Sequence, residues 1–453
     1  MPAIRLEQPK TLRVRQRSLN SMSSQTARTP ADHLVPFRWP SAWTDPALLS
    51  LFSQSPINCL IFENLVGAKP VAAAARAAGL TVLEWNLLGA APLAQVKWDS
   101  PAPQTVITGL DWPRMKLSAK RDSAVAGPTG APWIDSNTWV ARLACVRAPR
   151  RPVWLGFEFA KDDPASGPNA YSIAIADSAA TGARWMVTLD DGLRKGLPAG
   201  NADAQKIWRS ILTALAFFEK HRDWTYWEPG GSVGILSSFA GDNEFLGQEV
   251  LNLAARRNLL YRILDRSVPA SRTFEGLRAV LYVDSDSPAP ELRAKLSTFA
   301  HDGGLLIVPR VLATDFAGDQ PIECPVIGYD LRSFGKGAVA IGTRDWDDPF
   351  FLAADLHSLV QRRNDPVTLF NARTVWEHYS VAPGGRTALL QLVGFTSHPH
   401  DSVSVAPAQR WRSATLHALG SSAAIELKPV QVDGRPEFHL PAFSYYAALE
   451  LRS

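Results

Sequence analysis

Five acidic side chains stand at or just past the ends of short apolar runs. They are Glu63 after INCLIF, Glu84 after LTVL, Asp111 in TVITGLDW, Glu158 in PVWLGFEF, and Asp190 after RWMVTL, with Asp191 beside it. In α/β folds the C-terminal ends of parallel strands gather on one face, and ligands bind there. Carboxyl groups sharing such a rim can divide acid and base work. Cleaving a glycosidic bond needs one protonated and one ionised carboxyl group, ~5–5.5 Å apart for retention and ~6.5–9.5 Å for inversion. Glu158, Asp111 and Asp190 are the candidates for that chemistry. Any one of these acids alone reads more simply as a solvated loop residue or a helix N-cap. Asp190 and Asp191, just before Gly192, could cap a turn. The recurrence of the pattern is what sets the group apart.

Binding candidates surround them. Trp85, Trp112 and Trp133 lie beside or near the strand ends, and their faces could floor a sugar subsite. Most Trp residues merely pack, however, and Trp112 precedes Pro113 and could anchor a loop. In the loop GPTGAPWIDSN, Asp135 and Asn137 could hydrogen-bond sugar hydroxyls. Equally, Asp135 or Ser136 could cap the helix that follows. With Glu63, Glu84, Trp112, Trp133 and Asp191, these make up the substrate-binding set.

The elements that must position them follow from periodicity. From Pro36 to Trp224, strand-like runs alternate with helix-like ones. Strands are expected over 57–63, 80–85, 105–112, 152–159 and 183–191. Helices are expected over 69–79, 136–147 and 203–221, the last with Ile207, Ile211, Leu212, Leu215 and Phe218 on one face. Such alternation specifies a parallel sheet. A compact or incomplete (β/α) barrel over 36–228 is the expected form, with an open sheet as the alternative. A second α/β unit, flavodoxin-like, is expected over 229–366. Its strands are SVGILSSF, LYRILD, LRAVLYVD and LLIV, its helices fall at 247–258 and 289–301, and a closing helix spans 347–364. From 367 to 453 apolar and polar residues alternate between Gly-Gly and Asp-Gly turns, which predicts a small antiparallel β domain.

Composition narrows the function. The chain has 453 residues, too many for one core. The net charge is only +4, and much of it lies in the first thirty residues, so no nucleic-acid-binding face is indicated. Residues 1–35 read as a disordered leader with no legible signal peptide, which leaves cytoplasm and periplasm both open. No apolar run reaches the ~20 residues that span a bilayer. Cys59, Cys145 and Cys324 are far apart and show no zinc spacing. His398 and His400 in FTSHPHD form a possible metal pair, but more simply a solvated turn. No metal or cofactor is expected. No Gly-x-Ser-x-Gly elbow, Walker loop, HExxH or GxGxxG occurs.

Three stretches resemble a known family. VGILSSF, then GQEVLNLAARRNLLYRILDRS, then LRAVLYVDSDSPAPELRAKLSTFAHDGGLLIVP look like the middle domain of family 42 beta-galactosidases. The tail LPAFSYYAALEL looks like their C-terminal β domain. The resemblance implies a barrel, a glutamine-amidotransferase-like domain that mediates trimerisation, and a carbohydrate substrate. Cys324 in IECPVIG has no elbow around it, so no amidotransferase chemistry is read here. PVWLGFEF followed by AIADSAATGARWMV resembles the family's seventh strand and its exit, which would match Glu158 to the nucleophile. The family's Asn-Glu acid/base pair has no counterpart before Glu158; the one Asn-Glu, Asn243–Glu244, lies in the second unit. The resemblance therefore implies a divergent glycoside hydrolase or a carbohydrate-binding or assembly protein on the same scaffold.

Overall fold

The computed structural model describes residues 30–116, 132–160, 165, 167, 169–360, 365–396 and 398–453. Nearly all of the expected leader, part of the Gly/Pro loop before Trp133 and the end of the 347–364 helix fall outside these residues.

Short apolar runs cut off by Gly, Pro and polar residues fold as short strands. Those of the first half are β1 (Pro36–Arg38), β2 (Cys59–Phe62), β3 (Thr81–Glu84), β4 (Ala91–Pro92) and β5 (Thr105–Thr108). A small hairpin, β6 (Arg114–Met115) and β7 (Ile134–Asp135), precedes β8 (Val153–Gly156) and β9 (Arg184–Met186). The hairpin apart, all pairings are parallel, in the orders β1-β2-β3 and β4-β5-β8-β9. Val187, just past β9, joins the two sets. Its carbonyl accepts from the Arg38 N–H at 2.9 Å, and its N–H donates to the Pro36 carbonyl at 3.1 Å. The strands thus succeed one another in space as they do in sequence, with β9 returning to β1. Among the described residues no ladder joins β3 to β4. Every residue of β2 and β8 is buried, as expected of strands covered on both faces.

The helices between them carry matching stripes. α1 (Lys69–Ala77) stops at Gly79, whose φ of +81° suits the left-handed turn that ends a helix. α2 (Thr138–Arg147), α3 (Ala170–Ala179) and α4 (Asp191–Gly196) follow. α5 (Ala202–Lys220) is capped by Asn201, whose side chain accepts from the Asp203 and Ala204 N–H groups. It buries Ala204, Trp208, Ile211, Ala214 and Leu215. Full burial of one Ile or Leu contributes ~1.5–3 kcal/mol, so this stripe outweighs helix propensity. α3 is apolar all round and correspondingly enclosed. Tyr171 and Ala174 join the core of the parallel strands, while Ile173 and Ala176 join Trp376, Leu389 and Tyr446 of the C-terminal sheet.

After the short strand β10 (Glu228–Pro229), a second sheet is built from β11 (Val233–Ser237), β12 (Tyr261–Asp265), β13 (Ala279–Tyr282) and β14 (Leu305–Val308). A meander follows, with β15 (Pro321–Ile322), β16 (Tyr329–Phe334) and β17 (Gly337–Gly342). The sheet order is β12-β11-β13-β14-β17-β16-β15. Its parallel strands therefore run 2-1-3-4-5, one of the orders of doubly wound α/β sheets. α6 (Glu244–Arg256), α7 (Pro290–His301) and α8 (Pro349–Val360) complete this region. Val233, Ile235, Val250 and Ile263 share one apolar cluster with Ala141, Leu143 and Ala144 of α2, so the first two regions have a continuous core.

From Val367 onward the described residues form antiparallel strands. One sheet contains Val375–Val381, Thr387–Gly394, Tyr446–Arg452, Ser413–Ala418 and Ile425–Leu427, with β10 on its edge. A smaller sheet carries Val367–Phe370 and Ser404–Pro407. Leu390, Leu392, Val405, Phe438 and Leu449 form the core between them.

Candidate functional site

The strand-end acids fall on the rim formed by the C-terminal ends of the parallel strands, but they are put to different uses. Glu158 and Glu63 are brought together. Arg38, the last residue of β1, donates from Nη1 to Glu158 Oε1 at 2.8 Å and from Nη2 to Glu63 Oε2 at 2.7 Å. The guanidinium lies 4.2 Å from the centre of the Trp85 ring. Its side chain is 17% exposed, while those of Glu63 and Glu158 are 52% and 60% exposed. Burial works against charge on Arg38, but the two glutamates more than offset it and the pKa is raised. Each exposed ion pair is worth only ~0.2–1 kcal/mol, so an incoming ligand can open this cluster at small cost.

Asp111, Trp133, Asp135 and Asn137 form a second group. Asn137 braces two loops: its Oδ1 accepts from the Asp111 N–H at 3.2 Å, and its Nδ2 donates to the Asp111 carbonyl at 2.8 Å. Asp135 is buried, and its Oδ1 takes the Trp133 Nε1–H at 3.1 Å and the Lys116 ammonium at 3.2 Å. Arg256 of α6 lies 3.8 Å from the centre of the Trp133 ring.

Ser136 Oγ accepts from the Thr138 N–H at 3.1 Å and so caps the first turn of α2. Asp177, reaching across from α3, braces this turn. It accepts from the Ser136 hydroxyl at 2.6 Å, the Asn137 N–H at 3.0 Å and the Thr138 hydroxyl at 3.2 Å. Burial pushes the Asp177 carboxyl up to about 6, and these three donors pull in the opposite direction. Between the ordinary carboxylate range and pH 6 the folded chain holds a proton that the unfolded chain has released. Stability is therefore expected to fall as pH rises from about 4 to about 6, by on the order of 3 kcal/mol, and then to level off. Asp177→Asn should remove this component of the decline, as read from urea midpoints across that range. An unchanged slope in the variant would show that Asp177 is ionised throughout.

The remaining candidates serve the fold. Asp190, expected among the catalytic acids, is the N-cap of α4. Its Oδ1 accepts from the Leu193 N–H at 2.9 Å, and its Oδ2 takes the Ala165 N–H at 3.2 Å and the Tyr171 hydroxyl at 3.4 Å. Asp191 pairs with Arg194 one turn along. Glu84 accepts from the Leu65 N–H at 3.4 Å. Trp112 offers no face to a sugar. It is 5% exposed, with Phe157, Phe159, Tyr171 and Trp185 rings centred 4.9–5.4 Å away. These rings form an aromatic plug near the rim. Among the described residues, no group of three or more His, Cys, Asp and Glu could hold a metal ion. The backbone of His400 pairs with Phe443.

Sequence reading did not single out Arg38, Asp177 or Arg256. For Arg38 the available signal was a cation closing the apolar run VPF, next to strands that close on acids.

No sequence family matches this chain, and no curated protein matches it in sequence. Solved structures do match. The beta-galactosidase of Bacillus circulans sp. alkalophilus aligns over 93% of this chain and 99% of its own, with TM-score 0.52 and 8% identity. Alpha-L-fucosidase isoenzyme 2 of Paenibacillus thiaminolyticus aligns over 89% of this chain and 79% of its own, with TM-score 0.51 and 11% identity. A family 42 beta-galactosidase from G. stearothermophilus aligns over 94% and 99%, with TM-score 0.48 and 10% identity. The fold is similar to that of these glycosidases. At these identities the likeness is one of fold.

Proposed function

We propose that this chain is a glycoside hydrolase acting at the acid-bearing rim, with Glu158 as nucleophile and Glu63 as acid/base. The observation that carries this reading is the Arg38 bridge, which places two solvent-accessible carboxylates on either side of one guanidinium. Both carboxylates lie within hydrogen-bond reach of one guanidinium and are therefore near neighbours, as a nucleophile and acid/base pair ~5–5.5 Å apart must be. In this reading the ring of parallel strands is an incomplete (β/α) barrel over 36–228. The 2-1-3-4-5 sheet is a flavodoxin-like domain over 229–366, and an antiparallel domain spans 367–453. Trp85 supports the guanidinium and can border a sugar subsite. Turnover requires Arg38 to remain with Glu158 while Glu63 gives up its arm of the bridge and carries the proton.

A second reading is supported by the aromatic plug and by the engagement of both carboxylates in one ion-pair cluster: a carbohydrate-binding or assembly protein on a hydrolase-like scaffold. Incubating the purified chain with a panel of aryl glycosides separates the two. Release of aglycone above the uncatalysed rate, with one product anomer dominant, supports hydrolysis. Saturable binding of the same glycosides without release supports the second reading and rejects the first.

A further inference from the structure

A second concavity lies away from the rim. It lies at the opposite, N-terminal end of the parallel strands, where Pro36, Pro152 and Ala183 mark the starts of β1, β8 and β9. There the ring meets β12 and the C-terminal sheet around a cavity of about 960 Å³. That volume is at the upper end of what small-molecule sites occupy, ~300–1,000 Å³.

The chemistry of the walls is uneven. Six arginines line the cavity (Arg142, Arg150, Arg151, Arg184, Arg222 and Arg262), and no lysine does. Four acids line it as well: Asp32, Glu219, Glu228 and Glu377. Glu219 is already paired with Arg184. Burial, with Asp365 adding to it, pushes the Glu377 carboxyl well above the usual carboxylate range. Several of the other arginines also have neighbours: Arg142 donates to the Tyr261 carbonyl, Arg151 to the Trp98 and Ser100 carbonyls, Arg262 to the Thr273 and Glu275 carbonyls, and Arg222 meets His33, while Arg150 is exposed. The two lining histidines add no charge at neutral pH: burial, with Arg142 adding to it, lowers His378 to about 3, and burial, with His417 and Lys220 adding to it, lowers His221 to about 4.

One strand also presents unpartnered polar atoms. Among the described residues, Glu377 Oε2, His378 Nε2 and Ser380 Oγ have no hydrogen-bond partner, although these residues are only 8%, 8% and 9% exposed. Arg262 Nε is likewise buried without a partner. A buried polar group left unpaired costs ~1–3 kcal/mol, so four beside one cavity are not an economical way to close a protein interior. Aromatic side chains also line the wall: Trp224, Trp227, Tyr226 and Tyr379.

We propose that this cavity is a second ligand site, distinct from the rim, which binds an anionic saccharide of two or three residues. The arginines take the acid group, whether carboxylate or sulfate. His378 and Ser380, which share one face of their strand, take hydroxyls, and the aromatic side chains lie against the sugar rings. The site does not depend on whether the rim is catalytic.

Calorimetric titration of the full chain with digalacturonate, a sulfated disaccharide and neutral digalactose tests this. At least one of the anions should bind, and the neutral sugar should bind at least about tenfold more weakly or not at all. Arg150 is exposed at the mouth, and Arg150→Glu should weaken anion binding by at least about tenfold without moving the thermal midpoint. Ser380→Ala should weaken it by a smaller factor, and Glu158→Gln should leave it unchanged. Failure of both anions to bind at millimolar concentration would overturn the proposal. So would equal affinity for the neutral sugar, indifference to Arg150→Glu, or loss of binding in Glu158→Gln.

Discussion

Glu158→Gln is expected to abolish glycoside turnover, lowering kcat/KM for aryl glycosides by more than about 1,000-fold while the chain stays folded. The fold should survive because the bond it weakens is one arm of an exposed ion pair, worth ~0.2–1 kcal/mol. Glu63→Gln should cost ~100- to 10,000-fold, the range of a lost general acid or base. Its defect should shrink as the leaving group improves, because a good leaving group needs less protonation. The two variants thus differ in a way that a general loss of structure would not reproduce. The aromatic plug sharpens the test. Trp112 and its neighbours already fill space near the rim, so a substrate must lie across Glu63, Trp85 and Glu158 rather than descend among the strands. Full activity in Glu158→Gln would remove Glu158 from the chemistry and leave the rim as a binding surface.

Much of this arrangement was legible in the sequence, because periodicity and strand-end composition are local signals. INCLIF and PVWLG are unbroken apolar runs, and both become strands buried along their whole length. The parallel strands of the second sheet follow from their alternation with helices. β1 and β4 did not show, because three and two residues are too few to display a period. β16 and β17 were not among the expected strands. The β sheets of the last ninety residues were visible through their turn residues, but their closure onto β10 was not, since that pairing spans some 150 positions.

The site was legible as a set of acids but not as a set of partnerships. Sequence placed Asp111 and Asp190 among the catalytic candidates and Glu63 in the binding set. What separates them is the side chain each one meets: Arg38 for Glu63, a helix N-terminus for Asp190, and, for Asp111, a backbone brace to Asn137. All three depend on contacts made after the chain has folded. Asp177 shows the same limit from the other side. In AYSIAIADSA it reads as a polar break in an apolar helix, yet it holds the Ser136 hydroxyl that caps α2.

The largest stability effect is expected at Arg147, where the ring is tied to the second sheet. Arg147 ends α2 and donates from Nε to Asp265 Oδ2 at 2.7 Å and from Nη2 to the Ser238 carbonyl at 2.8 Å. Asp265 ends β12 and is fully buried, and its other oxygen already accepts from the Ser267 N–H at 2.7 Å. Arg147→Met keeps the length and apolar stem of the side chain but leaves a buried carboxylate without its cation. Removing one partner of a buried pair costs ~3–5 kcal/mol, several times what any rim ion pair contributes. Removing the charge on both sides costs less, because no buried ion is left stranded. Urea unfolding should therefore show Arg147→Met strongly destabilised and Arg147→Met/Asp265→Asn largely restored, a positive coupling that separate losses of packing would not give. If the single variant costs less than about 1 kcal/mol, the shared apolar cluster of Leu143, Ala144, Val250 and Ile263 is sufficient to hold the two regions together. Such a result would make the ion pair a device for orienting the ring on the sheet rather than for holding it there.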